Sequence, residues 1–169
     1  MKKTISLLAF LILLVTAVSA QTSWVSQKID DRFTLKFPVT PKLEKAIYIA
    51  KGPDSTGYTL NIVDFNVVAK LDSAALAPIK DTEEFASQLK SGLIQSLPML
   101  ANSEIAIGKF KGYTSYTISG GNDEKKAKLY IQMILVGSKL YSMASAVQDA
   151  TGEAGLKNKD VFFASPVIK

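Results

Sequence analysis

Ser87-Gln88-Leu89-Lys90 has the S-x-x-K spacing of serine acyl-transferases of the penicillin-binding type. In those enzymes a lysine eases deprotonation of a serine at a helix start. Here the pair sits one turn into a predicted helix, beside its apolar stripe. No K-T-G or S-D-N segment follows, so the pair reads as a polar helix face. Paired carboxylates can run acid–base or glycosidic chemistry without histidine, and Asp30–Asp31, Glu83–Glu84 and Asp123–Glu124 are the candidates. All fall at predicted turns or at a helix start, where capping and solvation account for them, and sequence neighbours in a strand point to opposite faces. Asp64 differs, standing between Val63 and Phe65 within an apolar run. It is expected on an exposed face or at a bulge. Asn122, Asp123 and Glu124 offer oxygens to calcium but lack the further ligands of a calcium loop. Gly120–Gly121 is not followed by a helix start, which makes it a poor phosphate cradle. No residue is assigned a catalytic, cofactor-binding or metal-binding role. Tyr113, Tyr116, Tyr130 and Tyr141 are the candidate lining of a binding groove, because tyrosine joins an apolar body to a polar tip. Ordinary sheet packing is the competing reading.

The chain has 169 residues, no Cys and no His. Zinc-thiolate, iron–sulfur and disulfide chemistry are thereby excluded, as are an imidazole base and His-ligated metals. There are 20 Lys+Arg against 15 Asp+Glu, a net charge of +5. Arginine occurs once, at Arg32, and the lysines are scattered. A nucleic-acid binder would show a basic stripe, so no nucleic-acid partner is expected. Lys125, Lys126 and Lys128 follow Asp123–Glu124 and read as a solvated turn.

The N-terminus has the three-part layout of a secretory signal. Lys2–Lys3 is basic, Ile5 to Val15 is apolar apart from Ser6, and Val18-Ser19-Ala20 supplies small side chains. Cleavage between Ala20 and Gln21 is expected. Removing 20 residues from 169 leaves one domain, residues 21–169, with a net charge of +3. The apolar stretch is short for an anchor, which needs about 20 residues, and no later segment resembles a span. The expected location is secreted or periplasmic, with no stable membrane span after cleavage. At this length packing alone can stabilise the fold.

Phe33 to Phe37 alternates as a half-buried strand does, and Pro38 and Pro41 stop it. Ala46 to Ala50 is a second short strand, and Gly52 to Gly57 a hairpin loop. Tyr58 to Val68 reads as one long strand whose apolar phase switches midway, as a bulge or burial on both faces would produce. Asp72 to Ala77 predicts about one helical turn. The main helix is expected after Asp81, capped by it with Glu84 as reciprocal partner. Phe85, Leu89, Leu93 and Leu97 form its apolar stripe, and Pro98 ends it. Glu104–Phe110 and Gly112–Ser119 are strands around Lys111–Gly112, with a further turn at Gly120–Asp123. Lys128–Val136 and Lys139–Val147 form a hairpin through Gly137–Ser138. Both strands are apolar on two faces and therefore belong at the centre of a sheet covered above and below. Glu153–Phe163 closes as a helix with Leu156 and Phe163 on one face, and Ser165–Pro166 begins a tail. The expected architecture is α+β: a mostly antiparallel sheet of about five to seven strands flanked by two or three helices, like an α/β/α sandwich.

The sequence resembles the PsbP-like exported proteins. The resemblance rests on Phe33-Thr-Leu-Lys-Phe37 followed by Pro38 and Pro41-Lys42, on the hairpin Leu129 to Val147, and on Val161-Phe162-Phe163-Ala164-Ser165. It implies the α/β/α-sandwich superfamily that also includes a Ran-binding nuclear transport factor. Its known members are chiefly non-enzymatic binding or accessory proteins, and it offers no active-site residues; no cofactor is expected. The leading expectation is thus an exported, non-enzymatic domain that binds a protein or an envelope component. The alternative is a His-free hydrolase using carboxylate or Ser–Lys chemistry, which a deep pocket gathering two or more of Asp64, Ser87, Lys90 and Glu104 would favour.

Overall fold

The computed structural model describes residues 24–122, 126–148 and 152–169. The expected cleavage site at Ala20–Gln21 lies outside them. Seven antiparallel strands form the central sheet in the order β3-β4-β5-β9-β8-β7-β6. They are β3 (Lys42–Glu44), β4 (Ile47–Lys51), β5 (Gly57–Asp64), β6 (Ala106–Phe110), β7 (Tyr113–Asn122), β8 (Ala127–Val136) and β9 (Lys139–Gln148). A smaller antiparallel sheet places β2 (Phe33–Phe37) between β1 (Val25–Lys28) and β10 (Val167–Ile168).

The two-faced apolar strands occupy the expected place, with β9 in the middle of the large sheet and β8 beside it. Each face feeds its own core. On one, Phe33, Leu35 and Phe37 of the small sheet and Phe162 of α4 (Gly152–Ala164) meet Tyr58, Leu60, Ile134, Tyr141 and Met143. On the other, Phe85 and Ala86 of α3 (Glu83–Ser96) meet Tyr116, Ile118, Ile131, Met133 and Leu135. Leu76 of the short α2 (Ser73–Leu76) and Leu100 of the 3-10 turn Pro98–Leu100 complete that side. The result is a sandwich with the large sheet as its middle layer.

Several local expectations are corrected. The phase switch after Ile62 is no bulge: β5 ends at Asp64 and a single helical turn, α1 (Phe65–Val68), follows. Asp64 caps that turn by accepting from the Asn66 N–H at 3.0 Å, and also accepts from Ser138 Oγ at 2.9 Å. The cap of α3 is Thr82, whose hydroxyl accepts from the Phe85 N–H, not Asp81. Asp81 accepts from Lys109 Nζ at 2.7 Å and Thr114 Oγ1 at 2.9 Å, which ties the helix start to β6 and β7. Gly120 and Gly121 continue β7 rather than turning. On α4 the buried positions are Gly155 and Phe162, while Leu156 is exposed, so the inward stripe runs one residue off from the expected one. The expected C-terminal tail adds the strand β10 to Phe33–Thr34.

Lys45 and Ala46, between β3 and β4, take φ of +46° and +69°. Two left-handed residues make the turn that a twisted two-residue hairpin needs, and neither has the side chain such a turn favours. An alanine there carries a steric cost of about 1 kcal/mol. Ala46→Gly should therefore raise stability by up to about 1 kcal/mol, read as a higher midpoint in urea.

Candidate functional site

Among the described residues, three concave regions with polar side chains stand out. The first lies between α3 and the approach to β6, with a volume of about 690 Å³. Glu83, Ser87 and Lys90 line it from α3, opposite Glu104, Ile105 and Ile107. The fold thus gathers three of the four residues named for the hydrolase alternative, more than the two that would favour it, while Asp64 sits elsewhere as a cap. Ser87, Glu83 and Glu104 are exposed and Lys90 is half-buried. Activation of a serine by lysine calls for a desolvated amine, and this setting is largely wet.

The second region, about 390 Å³, is lined by Asp30, Asp31, Arg32, Val136, Ser138 and Lys139. Its centre is Asp30. One carboxylate oxygen accepts from the Arg32 and Phe33 N–H groups, both at 2.9 Å. The other accepts from Tyr141 Oη at 2.6 Å and Lys139 Nζ at 3.0 Å. Partial burial pushes the Asp30 carboxyl up, but the bonds from Tyr141, Lys139 and the Arg32 amide outweigh it and hold the group below the usual carboxylate range. Tyr141 is raised by burial and by donating to that carboxylate. Its ring stacks on Phe33 at 4.1 Å. The cluster clamps the β1–β2 turn to the central sheet.

The third region, about 490 Å³, lies between α4 and the outer strands of the large sheet. Register explains its floor. Ala106 pairs with Thr117, Thr117 with Gln132, and Ser119 with Tyr130. Directly paired residues share a face, so these side chains form one patch on the α4 side. Lys159 and Phe163 close it from the helix, and Glu104 stands at the outer rim. The Lys159 ammonium lies 4.5 Å from the Tyr130 ring centroid and that of Lys128 5.2 Å from it. Such contacts hold lysine stems against aromatic faces. The Oε1 atom of Gln132 is buried without a hydrogen-bond partner.

The four tyrosines expected to share one groove do not. Alternation along β7 sends Tyr116 to the α3 side, where it is fully buried and donates to the Lys80 carbonyl. Burial raises its hydroxyl pKa. Tyr141 is fully buried on Asp30. Tyr113 packs half-buried against the α4-side core. Tyr130 lines the third region. Glu104, Gln132 and Lys159 were not singled out as lining for this groove. The strand spacing of Ser119 and Tyr130 was readable, but pairing across β6, β7 and β8 was not. Of the calcium candidates, Asp123 and Glu124 lie outside the described residues.

No family model matches the sequence, and no curated protein matches it. The fold is similar to the solution structure of a cyanobacterial PsbP (CyanoP) from Synechocystis sp. PCC 6803. The TM-score is 0.58 at 10% identity, over 90% of this chain and 96% of that one. A crystal structure from Bacteroides thetaiotaomicron VPI-5482 is similar at a TM-score of 0.50 and 9% identity, over 81% of this chain and 45% of that one. The fold is PsbP-like, as the resemblance implied. Among the described residues, no helix is long and apolar enough to cross a membrane.

Proposed function

We propose that this chain is an exported, non-catalytic domain that binds a protein or an envelope component, and that the Tyr130 groove is its binding face. One observation carries the reading: the partly buried carboxylates Asp30, Asp54 and Asp64, with the exposed Asp81, are engaged in holding the fold. Asp30 clamps the β1–β2 turn. Asp54 accepts from Thr56 Oγ1 at 3.0 Å and from Asn158 Nδ2 at 2.9 Å, fastening α4 to the β4–β5 loop. Asp64 caps α1, and Asp81 fixes the start of α3. By contrast the α4-side groove presents an aromatic ring, hydroxyls, an amide and charges of both signs to its opening. A concave site with a few convergent polar groups is where binding is expected. The PsbP-like fold agrees with this reading, and the basic-apolar-small leader supports export.

A second reading is favoured by the groove that holds Ser87, Lys90 and Glu104. There the chain would be a hydrolase with Ser87 as nucleophile and Lys90 as base. One pair of assays separates the two. Residues 21–169, immobilised and exposed to the envelope fraction of the source cells, should retain a defined component that Tyr130→Ala fails to retain. The same protein should leave a panel of esters, amides and glycosides intact. Hydrolysis that disappears in Ser87→Ala, with equal retention by the Tyr130 variant, would replace the first reading with the second.

A further inference from the structure

We propose that the α4-side groove takes a small zwitterion, an amino acid or dipeptide with a free ammonium and a free carboxylate. The inference rests on the binding reading in taking this groove as a binding site, and adds the chemistry of what fills it.

The two walls carry opposite charges. Glu104 stands exposed where the chain enters β6, and Lys159 projects from α4. The Lys159 side chain is only 17% exposed, and its ammonium is held over the Tyr130 ring at 4.5 Å. Lys128 brings a second ammonium to the same ring. Asp160 already lies 2.7 Å from Lys159, but its own side chain is 71% exposed. Such a pair is screened by solvent and worth little, so a ligand carboxylate can join or displace it. The floor between the walls carries Thr117, Ser119 and Gln132. Buried Oε1 of Gln132 has no donor. That oxygen lies beneath the accessible surface, so the floor offers a ligand the hydroxyls of Thr117 and Ser119. A cation wanted at the Glu104 end and an anion wanted at the Lys159 end define a molecule with both. The volume of about 490 Å³ is enough to seat a small molecule.

The probe is L-alanyl-L-alanine, titrated to about 10 mM into the ¹⁵N-labelled chain from residue 21, with amide shifts as the readout. Expected are saturable shifts confined to residues 117–119, 130–132 and 159–163, with a Kd of about 1 mM or tighter. The N-acetylated, C-amidated dipeptide carries no charge and should bind at least about tenfold more weakly, equivalent to about 1.4 kcal/mol. Glu104→Gln and Lys159→Met should each weaken the free dipeptide by a similar factor, and Lys159→Arg should retain it. Glu104 is exposed, so its variant tests the proposal even if Lys159→Met fails to fold. Equal binding of the capped dipeptide, shifts elsewhere, or none at about 10 mM would overturn the proposal. Failure of the dipeptide alongside Tyr130-dependent retention of an envelope component would overturn the zwitterion and leave the binding reading standing.

Discussion

Gly120→Ala should destabilise the domain by about 3 kcal/mol, a fall in Tm of about 10 °C, while Gly92→Ala raises stability. A Cβ at position 120 would lie 2.7 Å from the Met99 carbonyl oxygen, 2.9 Å from Leu100 Cδ2 and 3.0 Å from Ser103 Oγ. The nearest of these is backbone, which cannot swing aside as a flexible side-chain end can. The 3-10 turn Pro98–Leu100 must therefore lift from β7, and Leu100, fully buried in the α3-side core, lifts with it. Gly92, in the body of α3, has nothing within 4 Å of its would-be Cβ. Alanine there gains helix propensity of up to about 1 kcal/mol with no contact to displace. Opposite signs from one chemical change isolate close approach as the cause. Thermal unfolding followed by circular dichroism reads both. A Gly120→Ala variant as stable as the parent would show that the turn does not pack on β7 in this way.

Removing the Asp30 carboxylate should cost a similar amount. Asp30→Ala takes away the acceptor for two backbone amides, for Lys139 and for Tyr141 Oη. Tyr141 is fully buried, so its hydroxyl loses its partner where water does not reach. A loss of about 3 kcal/mol is expected, most of it from that orphaned donor and the two freed amides. The effect depends on pH with a fixed sign. The folded-state pKa of Asp30 is held below its ordinary value. Its stabilisation is therefore complete above the unfolded carboxyl pKa of about 3.9 and fades as pH falls through the lower folded value. Urea midpoints of the parent and of Asp30→Asn should differ at neutral pH and converge as the solution is acidified below about pH 4. At the alkaline end the sign reverses. Tyr58 is raised to about 12 by burial and by Asp54, and Tyr116 and Tyr141 are raised as well. Stability should fall as pH rises past about 10, where the unfolded tyrosines ionise first. A difference between the parent and Asp30→Asn that stays constant down to low pH would exclude the clamp.

These two residues also mark how far the sequence could be read. Alternation along Phe33–Phe37 and the four-residue stripe from Phe85 to Leu97 identified buried faces, because each periodicity is local. Two-faced apolarity placed β8 and β9 at the centre of the sheet for the same reason. Gly120 was misread as a turn, since a glycine that permits close approach and one that permits a bend look alike in a sequence. Asp30 was read as a solvated turn residue, and its partners Lys139 and Tyr141 lie more than a hundred positions away. Asp81 and Thr82 compete for one cap, and the choice is made by Lys109 and Thr114 on neighbouring strands. The Tyr130 groove has the same origin. Its floor comes from three strands brought into register and its wall from a helix about thirty residues later, so no spacing announces it. Tyrosine chemistry pointed to Tyr130, but only burial could separate it from Tyr116 and Tyr141.

Amide hydrogen exchange with and without the retained envelope component tests the binding account most directly. Protection is predicted over residues 117–119, 130–132 and 159–163, with the α3 face around Ser87 and the β3–β4 edge unchanged. Protection centred on Ser87 and Lys90, or spread along β3 and β4 with the Tyr130 groove still exchanging freely, would contradict it.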